Sequence, residues 1–268
     1  GVGTSGTTIG GGINEKNFLG KGINLNAQLE LSEDKIKGQF VYSKPNFNYT
    51  DNTLFTSVKS SNTDLLKDFG YKTSEIGFSF GTEFEQYENL YFSPEIDLSL
   101  EDLETNSKAS TNLKKQAGNY EDFYFNYSLN YDLRNSTYKP SSGYKTSFYQ
   151  KLPLVSSNNE ITNTLVFTKH KKLSKESDMV GKASFFISAV NSVDDSDVRI
   201  SKRGKMPYNR LRGFEKDKIG PKDGDDYVGG NYVTSLNFST NLPGVLQTME
   251  NLDFTYFIDV GNIWGVDY

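Results

Sequence analysis

Apolar and polar residues alternate along most of this chain. Ile23, Leu25, Ala27, Leu29 and Leu31 are interleaved with Asn24, Asn26, Gln28, Glu30 and Ser32, a period of two that places every apolar group on one side of an extended strand. Ile76, Phe78, Phe80 and Phe84 repeat the pattern against Glu75, Gly77, Ser79 and Glu83. So do Leu90, Phe92, Ile96, Leu98 and Leu100 against Tyr91, Ser93, Glu95, Asp97 and Ser99. The most regular run sets Phe123, Phe125, Tyr127, Leu129, Tyr131 and Leu133 against Tyr124, Asn126, Ser128, Asn130 and Asp132. Roughly thirteen such strands are predicted, joined by segments rich in Gly, Asn, Asp and Ser. Helical periodicity is nearly absent. Its best instance, Asp64 to Phe69, reads as a short loop turn.

Alternation fits either a soluble sheet with one wet face or a transmembrane barrel with lipid outside and a polar lumen. The predicted strands often run about 10 to 14 residues, whereas globular strands average about 5 to 6. No helical segment is available to cover the apolar face. Glu30, Glu75, Glu95 and Asp97 fall mid-strand on the polar side, where a wet lumen tolerates them and a packed sandwich core does not. The expectation is an all-β, antiparallel transmembrane barrel. Tyr42, Tyr49, Tyr71, Tyr87, Tyr120, Tyr131, Tyr144 and Trp264 lie near strand limits, as interfacial girdles would. Most prolines fall at edges or turns; Pro94, on the apolar side of its strand, predicts a bulge.

Composition qualifies this picture without changing it. A mean hydropathy of −0.59 suggests a soluble protein, yet a 14% aromatic content concentrated at alternate positions supplies one apolar face per strand. A net charge of −5 argues against general nucleic-acid binding. Cysteine is absent, which excludes disulfides and thiolate metal sites. The single histidine, His170, in Lys169-His170-Lys171-Lys172, reads as a solvated group in a basic hairpin. The Gly-rich stretch from Gly1 to Gly12 lacks the Lys-Ser/Thr and the helix of a phosphate loop, and reads as a strand end and hairpin. No catalytic triad, metal cluster or cofactor site is read from the sequence, so no enzymatic activity is expected.

Connections differ in length. Residues 16–22, 32–35, 86–89 and 153–159 are short, whereas 105–118 and above all 191–228 are long. Outer-membrane barrels place short turns on the periplasmic side and long loops outside. A loop as long as 191–228 is functional or disordered as a rule, and its content favours order. It carries Leu211-Arg212-Gly213-Phe214, then Ile219-Gly220-Pro221-Lys222-Asp223-Gly224, then Gly229-Gly230-Asn231-Tyr232.

These motifs resemble the inward-folding loop of the BamA-type outer-membrane protein assembly factors, the bacterial surface antigen family. Two further segments resemble the family in the same order: Tyr131-Asp132-Leu133-Arg134-Asn135 with Tyr138, Pro140, Ser142 and Gly143 upstream, and Phe257-Ile258-Asp259-Val260-Gly261-Asn262-Ile263-Trp264 downstream. The resemblance covers essentially the whole chain. It implies a partial barrel over 1–268, about 13 of about 16 strands, with the long loop after strand 11. Upstream POTRA repeats and the last strands would lie outside the chain.

The implied function is assembly and insertion of β-barrel proteins into the bacterial outer membrane by strand templating at a lateral seam. The implied partners are nascent barrel proteins, outer-membrane lipids, and accessory lipoproteins and periplasmic chaperones reached through POTRA repeats. A TamA-like insertase or a two-partner secretion transporter on the same plan, a passive porin, and a soluble sandwich remain alternatives. Arg212, a planar fork that is always charged, needs a carboxylate if the loop enters the lumen. Strand parity over 252–260 turns Leu252, Phe254, Tyr256 and Ile258 outward and Asp253, Thr255, Phe257 and Asp259 inward. The family pattern pairs the Arg with Asp259. Where the family has a second acid, this chain has Asn237, which would hold the loop less tightly. Gly213 is expected to permit positive φ and close approach to the wall, and Phe214 to anchor the tip by packing, with Ile219, Gly220, Pro221, Gly229 and Gly230 supporting the loop.

Overall fold

A computed structural model describes residues 2–3, 6–67, 69–194, 196–215, 217–243 and 254–267. Two-residue strands β1 (Val2–Gly3) and β2 (Gly6–Thr7) pair with each other. The wall then runs β3 (Ile9–Phe18), β4 (Ile23–Leu31), β5 (Lys35–Lys44), β6 (Thr53–Leu65), β7 (Tyr71–Tyr87), β8 (Leu90–Thr105), β9 (Gly118–Asp132), β10 (Gly143–Ser156), β11 (Glu160–Lys172) and β12 (Val180–Ser192). A one-turn helix α1 (Thr111–Lys114) sits between β8 and β9. The long loop contains a hairpin, β13 (Lys222–Asp223) with β14 (Asp226–Tyr227), and is followed by wall strands β15 (Tyr232–Leu242) and β16 (Phe254–Trp264).

Every wall strand pairs antiparallel with its neighbours in chain order, except that β15 pairs with β12 across the loop. Among the described residues the transmembrane barrel wall therefore holds twelve strands rather than thirteen, and the long loop follows the tenth rather than the eleventh. The count shifts because Val2–Gly3 and Gly6–Thr7 pair with each other and not with the wall. β3 and β16 are the two free edges among the described residues. No described helix is long and apolar enough to cross a membrane; the strands are what could.

Residues directly opposite each other across a ladder share a face, so each pairing row reports one side of the wall. The row Phe167, Phe185, Leu236 and Val260 points outward; the row Asp132, Lys145, Thr168, Ser184, Asn237 and Asp259 points inward. Ile76, Phe78, Phe80, Leu98, Phe238, Tyr256, Ile258 and Val260 are exposed on the outside, the face that lipid would cover. Inside, Lys59 bridges Glu75 and Asp97 at 3.2 and 3.5 Å, and Lys151 reaches Asp97 at 3.5 Å from a neighbouring wall segment. Leu252 and Asp253 of the parity argument lie outside the described residues.

Connections 32–34, 66–70, 106–117, 157–159 and 193–231 gather at one end of the wall; 19–22, 45–52, 88–89, 133–142 and 173–179 gather at the other. Two of the four short connections noted in the sequence, 32–35 and 153–159, thus share an end with the long loops. At that end Leu65, Phe69, Tyr71, Leu103, Ala109, Leu113, Ile200 and Val228 form a buried cluster in which three loops meet. Tyr71 is buried in it and Tyr120 packs beside it, so neither belongs to a girdle. Tyr131 and Tyr144 at one end, and the stacked pair Tyr232 and Trp264 at the other, do face outward.

Pro94 causes no bulge, since β8 keeps one register against β7 and β9 on both sides of it. The bulge falls instead at Pro153, within β10, where the missing N–H meets a register shift against β9. His170 lies inside β11 and not in a hairpin, in the inward row with Gly143 and Lys182, where it is half-buried.

Candidate functional site: a loop clamped inside the barrel wall

Arg212 and Asp259 meet. Nε of Arg212 donates to Oδ2 of Asp259 at 2.7 Å, Nη2 donates to Oδ1 at 2.7 Å, and the Arg212 backbone N–H donates to Oδ2 at 3.1 Å. This is the fork-on-fork geometry that makes Arg the residue for carboxylate recognition. The guanidinium also lies 3.6 Å above the Phe257 ring, the next inward residue on β16. The Asp259 hydrogen bonds raise the pKa of the guanidinium.

Asn237, opposite Asp259 on β15, does not leave a gap. Its Nδ2 donates to the Arg210 carbonyl at 2.6 Å and to Asp259 Oδ1 at 2.9 Å, while its Oδ1 accepts from the Ser235 hydroxyl at 3.1 Å. An acid here could make neither donation unless protonated. The expected loosening is therefore replaced by a second grip, on the loop backbone. Arg210 adds a third, donating to Ser184 Oγ at 3.1 Å with its guanidinium 4.7 Å over Phe186 of β12. Between the two arginines, Leu211 is buried with Met206, Val233 and Ile263. Strands β12, β15 and β16 thus all contact the segment Arg210-Leu211-Arg212.

The other motif residues divide. Gly213 takes a positive φ of 88°, but a Cβ there would meet nothing within 4 Å, so it makes no close approach. Phe214 is 63% exposed and does not anchor the tip. The close approach belongs to Gly220, with φ 97°, where a Cβ would fall 2.7 Å from Ile263 Cβ. Ile219 packs against the buried cluster around Leu211, Pro221 accepts a backbone bond from Val228, and Gly230 exchanges backbone bonds with Gly204. Gly229 sits at φ 67° with its Cβ position 2.8 Å from the Gly204 carbonyl.

A second anchor was not anticipated. Arg199, at the start of the same loop, is fully buried. Its Nη1 donates to Glu101 at 2.9 Å, its Nη2 donates to Asp122 at 2.8 Å and lies 3.9 Å from Glu160, and its backbone N–H donates to Glu160 Oε1 at 2.7 Å. The guanidinium stacks 3.9 Å from the Tyr120 ring, and Lys202 meets Glu101 at 3.0 Å. The next backbone N–H, of Ile200, donates to Gln116 Oε1 at 2.7 Å. Burial alone would lower the pKa of Arg199; Glu101, Asp122 and Glu160 more than offset it, and the pKa rises. These acids come from β8, β9 and β11. Their inward parity was readable, but the arginine that collects them sits in a Val-Arg-Ile stretch that no motif marked.

The loop therefore ties two parts of the wall, β8, β9 and β11 through Arg199 and β12, β15 and β16 through Arg210 and Arg212. Its hairpin adds a tether to the neighbouring loop, as Ser110, the N-cap of α1, donates to Asp223 at 2.5 Å. The upstream Asp132-Arg134 signature is a turn device. Arg134 Nε and Nη2 fork onto Asp132 at 2.8 and 2.6 Å, and Asn135 Oδ1 accepts from the N–H groups of Ser141 and Ser142 at 3.0 Å each.

The Omp85 superfamily domain matches residues 17–268. The outer membrane protein assembly factor BamA of Neorickettsia risticii (strain Illinois) is 22% identical over 256 residues, which cover 94% of this chain and 34% of that protein. The chain thus spans about a third of the length of that curated relative. The crystal structure of BamA from Haemophilus ducreyi lacking POTRA domains 1–3 superposes with a TM-score of 0.84 at 21% identity, over 97% of this chain and 56% of that one. CdiB from Acinetobacter baumannii superposes with a TM-score of 0.51 at 12% identity, over 96% and 47% of the two chains. At these identities the two superpositions speak for a shared fold.

Proposed function

The chain belongs to the Omp85 superfamily, and from that premise we propose that it forms the membrane wall of a factor that inserts and folds β-barrel proteins in the bacterial outer membrane. A strand entering lipid must first satisfy its backbone N–H and C=O groups. A barrel whose wall can part at a seam offers an edge on which those groups pair by β-augmentation. No covalent bond is made or broken, so the chemistry is exchange of hydrogen bonds between water, seam and client. Clients are nascent barrel proteins, and upstream POTRA repeats would recruit accessory lipoproteins and periplasmic chaperones.

The observation that supports this reading over a passive pore is the clamp of Arg210, Leu211 and Arg212 on β12, β15 and β16. A wall that opens at one place needs bracing elsewhere. A loop fixed to both sides of the lumen supplies that bracing without adding to the strand ladder.

The test is reconstitution of the full-length protein carrying this barrel into vesicles, with a urea-unfolded barrel client added outside. Folding of the client, read as its heat-modifiable gel mobility, should be several-fold faster than in empty vesicles. A steady ion conductance with no acceleration of client folding would refute the proposal in favour of a porin. Export of a single dedicated client into the lumen of the vesicle, in place of insertion, would refute it in favour of a secretion transporter.

A further inference from the structure

On the outer face, where β11, β12, β15 and β16 meet the end opposite the long loops, the wall carries a groove of about 400 Å³, within the about 300–1,000 Å³ range of small-molecule sites. Two adjacent pairing rows build it. In one, Lys169, Ala183, Phe238 and Ile258 lie side by side; in the next, Lys171, Gly181, Thr240 and Tyr256 do. Ala183 and Gly181 make the floor low, because neither carries a side chain beyond a methyl. Phe238, Tyr256 and Ile258 raise one wall, and Leu173, which lies over Gly181, raises the other.

The position of this groove in the bilayer follows from its neighbours. Tyr131, Tyr144 and Phe167 form a chain of outward ring contacts, 5.9 Å between successive centroids, immediately beside the Lys169 row. Outward tyrosines at a strand end mark the headgroup level of a barrel. Lys169 and Lys171 therefore stand at the headgroup depth with their apolar stems along the groove. Both are exposed, and neither makes an ion pair among the described residues. Of the two acids in the 173–179 turn, Asp178 meets Lys172 at 3.2 Å, and among the described residues neither it nor Glu176 pairs with Lys169 or Lys171.

We propose that this groove is a binding site for one anionic glycerophospholipid, with an acyl chain lying over Ala183 and Gly181 and the headgroup phosphate held by Lys169 and Lys171. The two longest connections, 106–117 and 193–231, leave from the opposite end of the wall, and the long loops of outer-membrane barrels lie outside, which puts the site on the periplasmic side, in the phospholipid leaflet. A lysine pair beside an apolar slot distinguishes an anionic headgroup from a zwitterionic one by charge, and a lipid from a soluble phosphate ester by the slot.

The experiment is native mass spectrometry of the detergent-extracted full-length protein after exposure to phosphatidylglycerol, phosphatidylcholine or lipid A. The intact protein should retain one phosphatidylglycerol preferentially. The charge-removing variant K169Q/K171Q should lose that preference, on the order of tenfold in relative retention. Ala183→Leu, which fills the floor and leaves both lysines, should reduce retention of phosphatidylglycerol. Heat-modifiable mobility should be unchanged in both variants, since all three positions face outward. Equal retention of the two phospholipids by the intact protein would overturn the proposal, as would a preference surviving K169Q/K171Q. Retention unaffected by Ala183→Leu would reduce the site to a basic belt, and preferential retention of lipid A would assign the wrong leaflet; either overturns it.

Discussion

Arg199→Ala should destabilise the barrel more than Arg212→Ala does, although only Arg212 belongs to the loop motif. Burial decides this. The side chains of Arg199, Glu101, Asp122 and Glu160 are between 0% and 2% exposed, so removing the cation strands Asp122 and Glu160 where water cannot reach them and leaves Glu101 with Lys202 alone. Breaking a buried pair in this way costs about 3–5 kcal/mol. Arg212 is 35% exposed and only Asp259 is buried, so its loss compares with a charged hydrogen bond of about 1.5–3 kcal/mol. For a chain of this size each kcal/mol moves the thermal midpoint by roughly 2–4 °C, which predicts a fall of about 6–20 °C for Arg199→Ala. Barrels in detergent unfold irreversibly, so the assay is the midpoint of heat-modifiable gel mobility at one fixed heating rate, compared across variants. A control separates stranded charge from lost packing. Adding E101Q, D122N and E160Q to Arg199→Ala should restore at least half of the lost midpoint, because neutral amides cost less to leave buried. A midpoint for Arg199→Ala within about 2 °C of the parent would refute the reasoning, and so would a quadruple variant no better than the single one.

Four further outcomes follow from individual contacts. Asn237→Asp should lower the same midpoint by the equivalent of about 1–3 kcal/mol, because it removes donations to the Arg210 carbonyl and to Asp259 and sets two carboxylates face to face; an unchanged or higher midpoint would show that Arg210 and Arg212 accommodate the second acid. Gly220→Ala should cost about 1–3 kcal/mol by strain at φ 97° and by the clash with Ile263, and limited proteolysis should then cut the loop near residue 220. Phe214→Ser should leave the midpoint within about 0.5 kcal/mol of the parent because the ring is exposed, so any defect in client folding would come from what the tip touches during work. Burial, followed by Asp225 and Asp223, raises the pKa of Asp226, so the folded hairpin binds protons more readily than the unfolded loop. Its stability should fall as pH rises from the ordinary carboxyl range through that raised value, and Asp226→Asn should flatten the pH dependence of loop proteolysis.

The wall was legible because strand parity is a local property: every second residue faces lipid whatever the neighbouring strands do. The Arg212 and Asp259 pair was legible for the same reason, as parity alone turns Asp259 inward and a resemblance supplied the partner. What escaped was set by three-dimensional convergence. Glu101, Asp122 and Glu160 are scattered over three strands and become a site only when register brings them level, and register depends on turns. The stretch before Ile9 reads as a strand end and hairpin, yet Val2–Gly3 and Gly6–Thr7 pair only with each other, which is enough to shift the count of wall strands by one. Phe214 was misjudged because an aromatic after Arg-Gly suggests packing, whereas the buried apolar residue of this segment is Leu211, placed between the two arginines.

The distribution of anchors carries a mechanical consequence. Adjacent strands of the wall are already joined by ladders, so an ion pair between neighbours adds little connectivity. Arg199 and Arg212 are thirteen residues apart in the loop, yet the acids they grip on β9 and β16, Asp122 and Asp259, are separated by β10, β11, β12 and β15 in the ladder order. The loop therefore resists a motion the ladders cannot, in which β8 and β9 swing away from β15 and β16 as the sheet flexes. If that is its work, cutting either anchor should have a similar effect on flexing despite their unequal contributions to stability. Spin labels on β9 and β16 would read this directly. Arg199→Ala and Arg212→Ala should each broaden the distance distribution between the labels, and the pair together should broaden it little further, because a strap released at one end is already slack. Additive broadening would mean that the two anchors act on their own strands alone, and the loop would then be a plug resting in the lumen with no bracing role.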